Sequence, residues 1–238
     1  MKRIFHLLCL PAFLLALSFF GSTRSDASAA PATPNNKIVI GFVGGFVRHD
    51  ASAHREVQLA STLGRDYPGV HVEIFANHSE HQAHDRILQL LDSDRNGKLS
   101  PAEIGNARVV LYGHSWGASE TVSTARALQK DGIPVLLTVQ VDSVRKFGED
   151  DRWIPANVVA AANFFQLDGI LHGESRIEAT DPHRTKILGN FQSDYKTNSI
   201  NLDGYPWYAR LFMKPHIEIE SDPGVWNQVE SLIRARLD

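Results

Sequence analysis

Short apolar runs alternate with amphipathic segments along most of the chain, and this alternation limits the possible fold more than any other feature. Apolar and β-branched runs predict strands at 37–43, 70–75, 108–112, 134–141 and 185–189. Helical periodicity predicts helices at 52–67, 82–91, 116–130 and 225–237. The sequence therefore predicts an α/β fold, a mainly parallel sheet with helices on both faces. Residues 143–215 are less regular, and we expect long loops there that carry binding residues.

The N-terminus has the pattern of an export signal. A basic start precedes an apolar run at 4–20, and small residues before position 30 fit a cleavage site, so residues 1–29 are predicted to be a signal peptide. The apolar run is shorter than the roughly 20 residues of a membrane span, so we expect no stable span after cleavage and a secreted or periplasmic product. Residues 30–36 are predicted to be a flexible leader, and 37–238 one domain.

Charge and cysteine content exclude several classes of protein. The net charge is −3 at pH 7, which argues against a nucleic-acid-binding surface. Cys9 is the only cysteine and lies inside the predicted signal peptide, so the mature chain is expected to have neither a disulfide nor thiol chemistry. The oligomeric state is not predictable from these features.

The motif Gly-His-Ser-Trp-Gly occupies residues 113–117, between a predicted strand and a predicted helix. A serine on such a sharp strand–turn–helix connection exposes its hydroxyl oxygen, and glycines two residues away on either side prevent collisions with neighbouring backbone. Ser115 is therefore the predicted nucleophile of a serine hydrolase. The N–H group of Trp116 is predicted to donate to the oxyanion that forms during attack.

A second oxyanion donor is expected from the loop after the first strand, residues 43–46. Two glycines in this loop would let the backbone approach a substrate oxygen. The candidates are the N–H groups of Gly45 and Phe46. A tight turn without a catalytic role is the alternative for this loop.

The acid and the base should follow the serine in the order Ser, acid, His. Asp142 comes directly after the fourth strand and is the predicted acid, because a carboxylate at that strand end can orient an imidazole. His216 is the predicted base, on a loop before the final helix. Alternatives remain open for both roles: Asp168, Asp181 and Asp194 for the acid, and His172 and His183 for the base. The other histidines precede Ser115, so this order excludes them as the base.

Residues 92–103 follow the calcium-loop pattern of an EF-hand. Oxygen-bearing side chains occupy loop positions one, three and five, glycine occupies position six, and glutamate occupies position twelve. The predicted calcium ligands are Asp92, Asp94, Asn96, the carbonyl oxygen of Lys98, and Glu103. A polar turn that joins a helix to a strand is the alternative. Because only one such loop is present, we expect a structural Ca²⁺ site rather than a sensor.

The motif at 112–118, the stretches at 139–144 and 154–158, and the positions of Asp142 and His216 resemble the α/β-hydrolase superfamily, particularly its lipase and esterase-like members. The chain also resembles a group of exported bacterial hydrolases. This resemblance implies the α/β-hydrolase fold across roughly residues 37–237 and hydrolase activity, but no particular substrate. The EF-hand-like loop departs from most of the superfamily.

Two functions are compatible with these features. The first is hydrolysis of a carboxylic ester, thioester or lipid through an acyl-enzyme, with a small acyl or lipid substrate. Transfer of the acyl group to another acceptor would use the same residues. The second is a calcium-dependent binding module on a hydrolase scaffold that has lost its activity.

Overall fold

A computed structural model of the chain describes residues 37–45, 47–203 and 205–238. The predicted signal peptide (1–29) and leader (30–36) lie outside the described residues. The strands are β1 (Lys37–Phe42), β2 (His71–Phe75), β3 (Arg108–His114), β4 (Val135–Val141), β5 (Trp153–Ile154), β6 (Ala160–Gln166), β7 (Glu178–Ala179) and β8 (Lys186–Ser193). The helices are α1 (Arg55–Asp66), α2 (Glu80–Leu91), α3 (Pro101–Asn106), α4 (Trp116–Lys130), α5 (Trp207–Ser221) and α6 (Pro223–Leu237).

The central sheet has six strands in the order β2-β1-β3-β4-β6-β8. Each neighbouring pair in this sheet is parallel. Strands β5 and β7 form a separate two-stranded parallel pair. Parallel neighbours cannot be joined by tight hairpins, so the chain crosses over between strands and its helices cover both faces of the sheet.

Two hydrophobic cores lie on opposite faces of this sheet. On one face, Ile38 and Ile40 of β1 belong to a buried cluster with residues of α2 and α4. On the other face, Val39 belongs to a cluster with residues of α1 and α6. Successive side chains of a strand point to opposite faces, so an uninterrupted apolar strand is what a sheet covered on both sides requires.

The predicted fold class is confirmed, and β8 contains most of the strand predicted at 185–189. Long loops are present in the segment 143–215, at 143–152, 167–177 and 194–203, but the prediction misses β6 and the first part of α5. Every residue of β6 is buried. Its sequence is rich in alanine, with asparagine and glutamine, which are weak strand formers, so local propensity does not reveal it. Its place between β4 and β8 makes it a strand.

The carboxyl ends of the parallel strands meet at one edge of the sheet, where α/β proteins place their binding sites. Ser115 follows β3 there and Asp142 follows β4. The parallel sheet, its covering helices and the serine at the β3–α4 turn make this an α/β-hydrolase fold. Within the described part of the chain, the helices are too short or too polar to cross a membrane.

Candidate active site

Ser115 occupies the turn between β3 and α4. Its backbone has a conformation that residues other than glycine rarely adopt. Its φ is 57° and its ψ is −127°. The turn is held in place because the Ser115 N–H donates to the Val141 carbonyl oxygen at 3.0 Å. Such a strained position persists only where the surroundings enforce it, and it lifts the hydroxyl away from the sheet edge.

Two glycines make this turn sterically possible. A Cβ atom at Gly113 would lie 2.5 Å from the backbone of Gly117, and one at Gly117 would lie 2.3 Å from the carbonyl oxygen of Phe42. Both distances are far below van der Waals contact. The backbone of α4 therefore packs directly on β3 and on the end of β1, as the steric argument from the motif predicts.

His216 reaches Ser115 from α5. Its Nε2 lies 2.9 Å from Ser115 Oγ, and its Nδ1 lies 2.7 Å from Asp142 Oδ2. The expected loop position of His216 is wrong, because it lies inside a helix. That helix is interrupted at Met213, whose φ and ψ are not helical, and Pro215 follows the interruption. Proline removes a backbone donor and distorts the preceding turn, so sequence alone favours a loop.

Asp142 is fully buried, and its carboxylate is hydrogen-bonded on both oxygens. Oδ2 accepts from Gln166 Nε2 at 2.8 Å and faces the His216 ring. Oδ1 accepts from the Gly173 N–H at 2.8 Å and from the Gln166 N–H at 3.3 Å. This set of donors fixes the direction in which Asp142 meets the imidazole.

The rival acids and bases do not join this hydrogen-bonded chain. The carboxylate of Asp168 accepts from the Tyr195 N–H, that of Asp194 from the Lys196 N–H, and that of Asp181 from the His183 N–H. His172 contacts the Gly173 carbonyl oxygen through Nδ1, and His183 is exposed. The structure thus brings Ser115, His216 and Asp142 together and leaves the alternatives apart.

The loop after β1 runs directly beside the serine. A Cβ atom at Gly44 would lie 3.4 Å from Ser115 Cβ, and one at Gly45 would lie 2.7 Å from the Trp116 ring. The Gly44 carbonyl oxygen accepts from Asn77 Nδ2 at 2.6 Å, which fixes the loop. Phe46, the other predicted oxyanion donor, lies outside the described residues. The loop can approach a substrate oxygen this closely because Gly44 and Gly45 have no side chains.

A cavity of about 220 Å³ opens at Ser115 and His216. Most of its remaining wall is apolar, with Val47 after β1, Trp116 at the start of α4, Val144 after β4, Leu171 after β6, and Ala209 and Ile217 in α5. The polar side chains that line it are His54, His114, Ser115, Tyr205, His216 and Glu220. The arrangement suits a substrate with one reactive polar group and an apolar body.

His114, the residue before the serine, is a buried neutral imidazole. Its ring lies 4.6 Å from the His216 ring, centroid to centroid. Burial, followed by the nearby His216, lowers the pKa of His114 to about 4. His114 is therefore uncharged at neutral pH, and its ring adds no positive charge next to His216.

The predicted calcium loop brings several of its predicted ligands together. One carboxylate oxygen from each of Asp92, Asp94 and Glu103 can be chosen so that all three lie within 4.8 Å of one another. The bend is made by Arg95 and Gly97, whose φ values are 58° and 79°. The Asn96 Oδ1 atom, another predicted ligand, accepts from the Lys98 N–H at 2.8 Å.

Glu103 also accepts hydrogen bonds that hold this loop together. Its Oε1 accepts from the N–H and hydroxyl of Ser93, and its Oε2 accepts from the N–H and hydroxyl of Ser100. Together with the Ser100 side chain this forms the capping box of α3. The hydrogen bond from the Ser93 side chain, followed by those from Ser100, lowers the pKa of Glu103 to about 2. Glu103 is thus a carboxylate at physiological pH.

Sequence reasoning misses two groups of residues near the serine. Gln166 and Gly173 hold Asp142, but they end or follow β6, a strand that local propensity does not reveal. His54, Glu56 and Glu220 form a buried cluster beside the cavity. His54 and Glu220 are 166 positions apart in the sequence, and no local pattern indicates that they meet.

No protein-family model matches the chain, and a search of curated proteins finds no significant relative. Several solved structures show remote similarity. A RedJ thioesterase of prodiginine biosynthesis from Streptomyces coelicolor has 12% identity and a TM-score of 0.39, with 84% of this chain and 98% of that chain covered.

An acetylxylan esterase has 11% identity and a TM-score of 0.41, with coverage of 85% of this chain and 99% of that one. A dienelactone hydrolase-like promiscuous phosphotriesterase from metagenomic libraries has 14% identity and a TM-score of 0.36, with coverage of 86% and 88%. At such low identities and TM-scores these similarities do not indicate an activity for this chain.

Proposed function

We propose that this protein is a serine hydrolase that cleaves a carboxylic ester, thioester or lipid through an acyl-enzyme. The observation that carries the proposal is the continuous chain of contacts from Ser115 Oγ through His216 to Asp142, at the floor of a cavity. A hydroxyl within reach of a base, itself oriented by a carboxylate, is the arrangement that activates a serine.

The proposed reaction begins with attack of Ser115 Oγ on the substrate carbonyl carbon. His216 Nε2 takes the serine proton, and the carbonyl oxygen becomes an oxyanion. The intermediate then expels the alcohol or thiol, which leaves with the proton from His216. Water attacks the resulting acyl-serine, His216 accepts a water proton, and collapse releases the carboxylic acid while the proton returns to Ser115.

Asp142 has an orienting role in this proposal. The His216 Nδ1–H donates to Asp142 Oδ2, so Nε2 is left as the acceptor that faces the serine. Hydrogen bonds from Gln166 and Gly173 hold the Asp142 carboxylate in place. Asp142 thereby stabilises the imidazolium that forms during each proton transfer without taking the proton itself.

The oxyanion is assigned to backbone donors. The Trp116 N–H lies at the start of α4, where helical N–H groups point outward and the helix dipole favours negative charge. The second donor is the N–H of Gly45 or of Phe46. Gly44 and Gly45 lie beside Ser115 and Trp116, and Phe46 is outside the described residues. These donors act in a mostly apolar cavity, where their interaction with a developing charge is strong.

The substrate class follows from the cavity and its rim. The first part of α5 contributes Ala209 and Met213 to the cavity wall, and it exposes Trp207, Leu211 and Phe212 to solvent. An acyl chain can therefore lie along apolar side chains from the reacting carbonyl outward. We accordingly propose a small acyl or lipid substrate rather than a charged or nucleic-acid substrate.

We further propose export and a structural calcium ion. The basic–apolar–small pattern of residues 1–29 supports export to the periplasm or beyond. The oxygens of Asp92, Asp94 and Glu103 support the calcium site, together with Asn96 and the Lys98 carbonyl, since Ca²⁺ prefers six to eight oxygen ligands. The carboxylate oxygens of Glu103 can accept hydrogen bonds and coordinate an ion at the same time, because each has two lone pairs.

The alternative is a binding module on an inactive scaffold, and covalent labelling distinguishes the two. A fluorophosphonate probe reacts when Ser115 Oγ attacks its phosphorus and fluoride leaves. We expect labelling of wild type and of Ser231→Ala, a control serine exposed on α6, and no labelling of folded Ser115→Ala. Unlabelled wild type would favour the binding module, and labelled Ser115→Ala would move the nucleophile elsewhere.

A further inference from the structure

Four ionisable side chains lie close together near the cavity at Ser115. His54 precedes α1 and Glu56 lies in its first turn. His114 ends β3, and Glu220 lies in α5 one turn after His216. Glu56, His114 and Glu220 are buried, and His54 is half-buried. We call these four residues the His–Glu cluster.

Glu56 is the least satisfied member of the His–Glu cluster. Its side chain has no solvent exposure, and neither carboxylate oxygen has a hydrogen-bond partner among the described residues. Burial raises the pKa of Glu56 well above its usual value, and the charge of Glu220 raises it further, while the nearby backbone amides of Glu56 and Gly44 only partly offset this. Buried polar groups in proteins are normally paired, so a missing partner requires an explanation.

Another atom of the His–Glu cluster is also unpaired. His114 Nε2 is buried without a hydrogen-bond partner in the described part of the chain. By contrast, the Nδ1 atom of His54 contacts an oxygen of Glu220 directly. The His114 atom nearest the two glutamates is Nδ1, not the unpaired Nε2, so the buried oxygens that lack a partner inside the His–Glu cluster are those of Glu56.

The candidate ligand atoms converge on a small space. One atom each from His54, Glu56 and Glu220 can be chosen so that all three lie within 4.8 Å of one another. His114 Nδ1 lies 3.8 Å from Glu56 Oε1 and 3.9 Å from Glu220 Oε2. In a tetrahedral zinc site the ligand atoms are about 3.3 to 3.5 Å apart. To bind an ion, the Glu56 and His114 atoms would move slightly closer together, and the direct contact between His54 Nδ1 and Glu220 would open.

We propose that His54, Glu56 and Glu220, with His114 as the fourth ligand, bind a divalent transition-metal ion of the zinc type. Two imidazole nitrogens and two carboxylates match the ligand preference and tetrahedral number of zinc, whereas Ca²⁺ and Mg²⁺ prefer oxygen ligands throughout. Two carboxylates also balance the charge of the ion. The unpaired Glu56 oxygens would then have a partner that the polypeptide does not provide.

The ion would connect the elements that carry the proposed catalytic groups. His54 and Glu56 belong to the start of α1, His114 immediately precedes Ser115, and Glu220 follows His216 on the same helix. His54, His114 and Glu220 also line the cavity, which gives the ion an entry path. The proposal concerns ion binding and not acyl transfer, so it stands or fails independently of the proposed hydrolase activity.

Metal content tests this proposal directly. The full mature protein is stripped with a chelator, incubated with Zn²⁺, passed through gel filtration and analysed by mass spectrometry. We expect one zinc per chain for wild type, and visible absorption of a four-coordinate Co²⁺ complex after cobalt substitution. Loss of a hydrogen-bond partner behind a metal ligand already weakens binding by 10- to 100-fold, so Glu56→Gln and Glu220→Gln should each weaken it by more than about 100-fold.

His84→Ala is the matched control, because His84 pairs with Asp131 in a partly exposed His–carboxylate contact and does not line the cavity at Ser115. This variant should keep both the zinc and the cobalt absorption. If Glu56→Gln does not fold, His54→Ala removes a ligand from the half-buried edge of the His–Glu cluster and should also lose zinc. Wild type without zinc, or equal zinc in wild type, Glu220→Gln and His54→Ala, would overturn the proposal.

Discussion

Asp142 and Glu56 are two carboxyl groups without solvent exposure, and their surroundings are opposite. Asp142 accepts hydrogen bonds from Gln166 and Gly173 and faces the His216 imidazole. Neither Glu56 oxygen has a hydrogen-bond partner in the described residues. The fold thus provides a full set of donors for one buried carboxylate and leaves the other without one in the part of the chain that the structure describes.

The difference separates two ways of using a buried charge. A carboxylate surrounded by protein donors is fixed in position, which suits the orientation of a catalytic imidazole. A carboxyl group with free lone pairs beside two imidazoles and a second carboxylate suits the coordination of an ion. Burial alone does not distinguish these roles, whereas the donor set around each group does.

The largest effect on activity is expected from substitutions of Asp142, whose carboxylate is fully hydrogen-bonded, and of its partners His216 and Ser115. Ser115→Ala, His216→Ala and Asp142→Asn should each lower kcat/KM for an acyl ester by about 10⁴-fold or more, since such groups act as a unit. Asp168→Asn, whose carboxylate binds Tyr195 instead, is the matched control and should keep most of the activity. A mild effect of Asp142→Asn with a severe effect of Asp181→Asn would assign the acid to Asp181.

A smaller effect on activity is expected when a group that donates a hydrogen bond to Asp142 is displaced while the Asp142 side chain itself is unchanged. A Cβ atom at Gly173 would lie 2.3 Å from the carbonyl carbon of Asp142, so Gly173→Ala must displace backbone. Overpacking of this kind costs about 1 to 3 kcal/mol of folding free energy. We also expect kcat to fall more than KM changes, because Asp142 no longer orients His216 correctly.

Gly64→Ala is the control for this substitution. Gly64 lies within α1, and a Cβ atom added there would have no neighbouring atom within 4 Å, so alanine should stabilise the helix by about 0.5 to 1 kcal/mol. Chemical denaturation and steady-state kinetics on both variants separate the effects. Unchanged stability and kcat in Gly173→Ala would show that the donor set around Asp142 tolerates displacement.

The smallest effect is expected on thermal stability, at the predicted calcium loop. Its Glu103 carboxylate accepts hydrogen bonds, as Asp142 does, and is also predicted to bind calcium. Calcium at tenfold its Kd stabilises a native state by about 1.4 kcal/mol. For a domain of this size the melting temperature should rise by about 3 to 6 °C relative to protein in chelator. A thermal melt in the two buffers measures this shift.

The calcium site can be tested with variants that leave the capping box of α3 intact. Asp94→Ala removes a predicted ligand but leaves the contacts of Glu103 with Ser93 and Ser100, so it should lose the calcium-dependent shift without losing α3. Asp203→Asn, a highly exposed acid elsewhere, is the charge-matched control and should retain the shift. Identical wild-type melts in both buffers would leave the polar turn as the correct interpretation of residues 92–103.

Strand–helix alternation and the motif at 113–117 are local patterns, so the sequence alone predicts them. Apolar periodicity reports burial directly, so the predicted β1, β3, β4 and α4 lie close to their observed bounds. Predictions fail where tertiary context overrides propensity. β6 is a strand because it lies between two others, and the interrupted helix α5 carries His216 despite Pro215.

The sequence by itself determined the α/β class and the serine at the strand–helix turn, and it favoured Asp142 and His216 among several candidate acids and bases. Only the tertiary structure decided between those candidates, and it alone decided which donors surround Asp142 and which side chains lie near Ser115. His54 and Glu220 lie 166 positions apart, and they meet because α1 and α5 pack on the same face of the sheet. Periodicity within an element says which face is buried, but the partners across that face depend on how separate elements pack together.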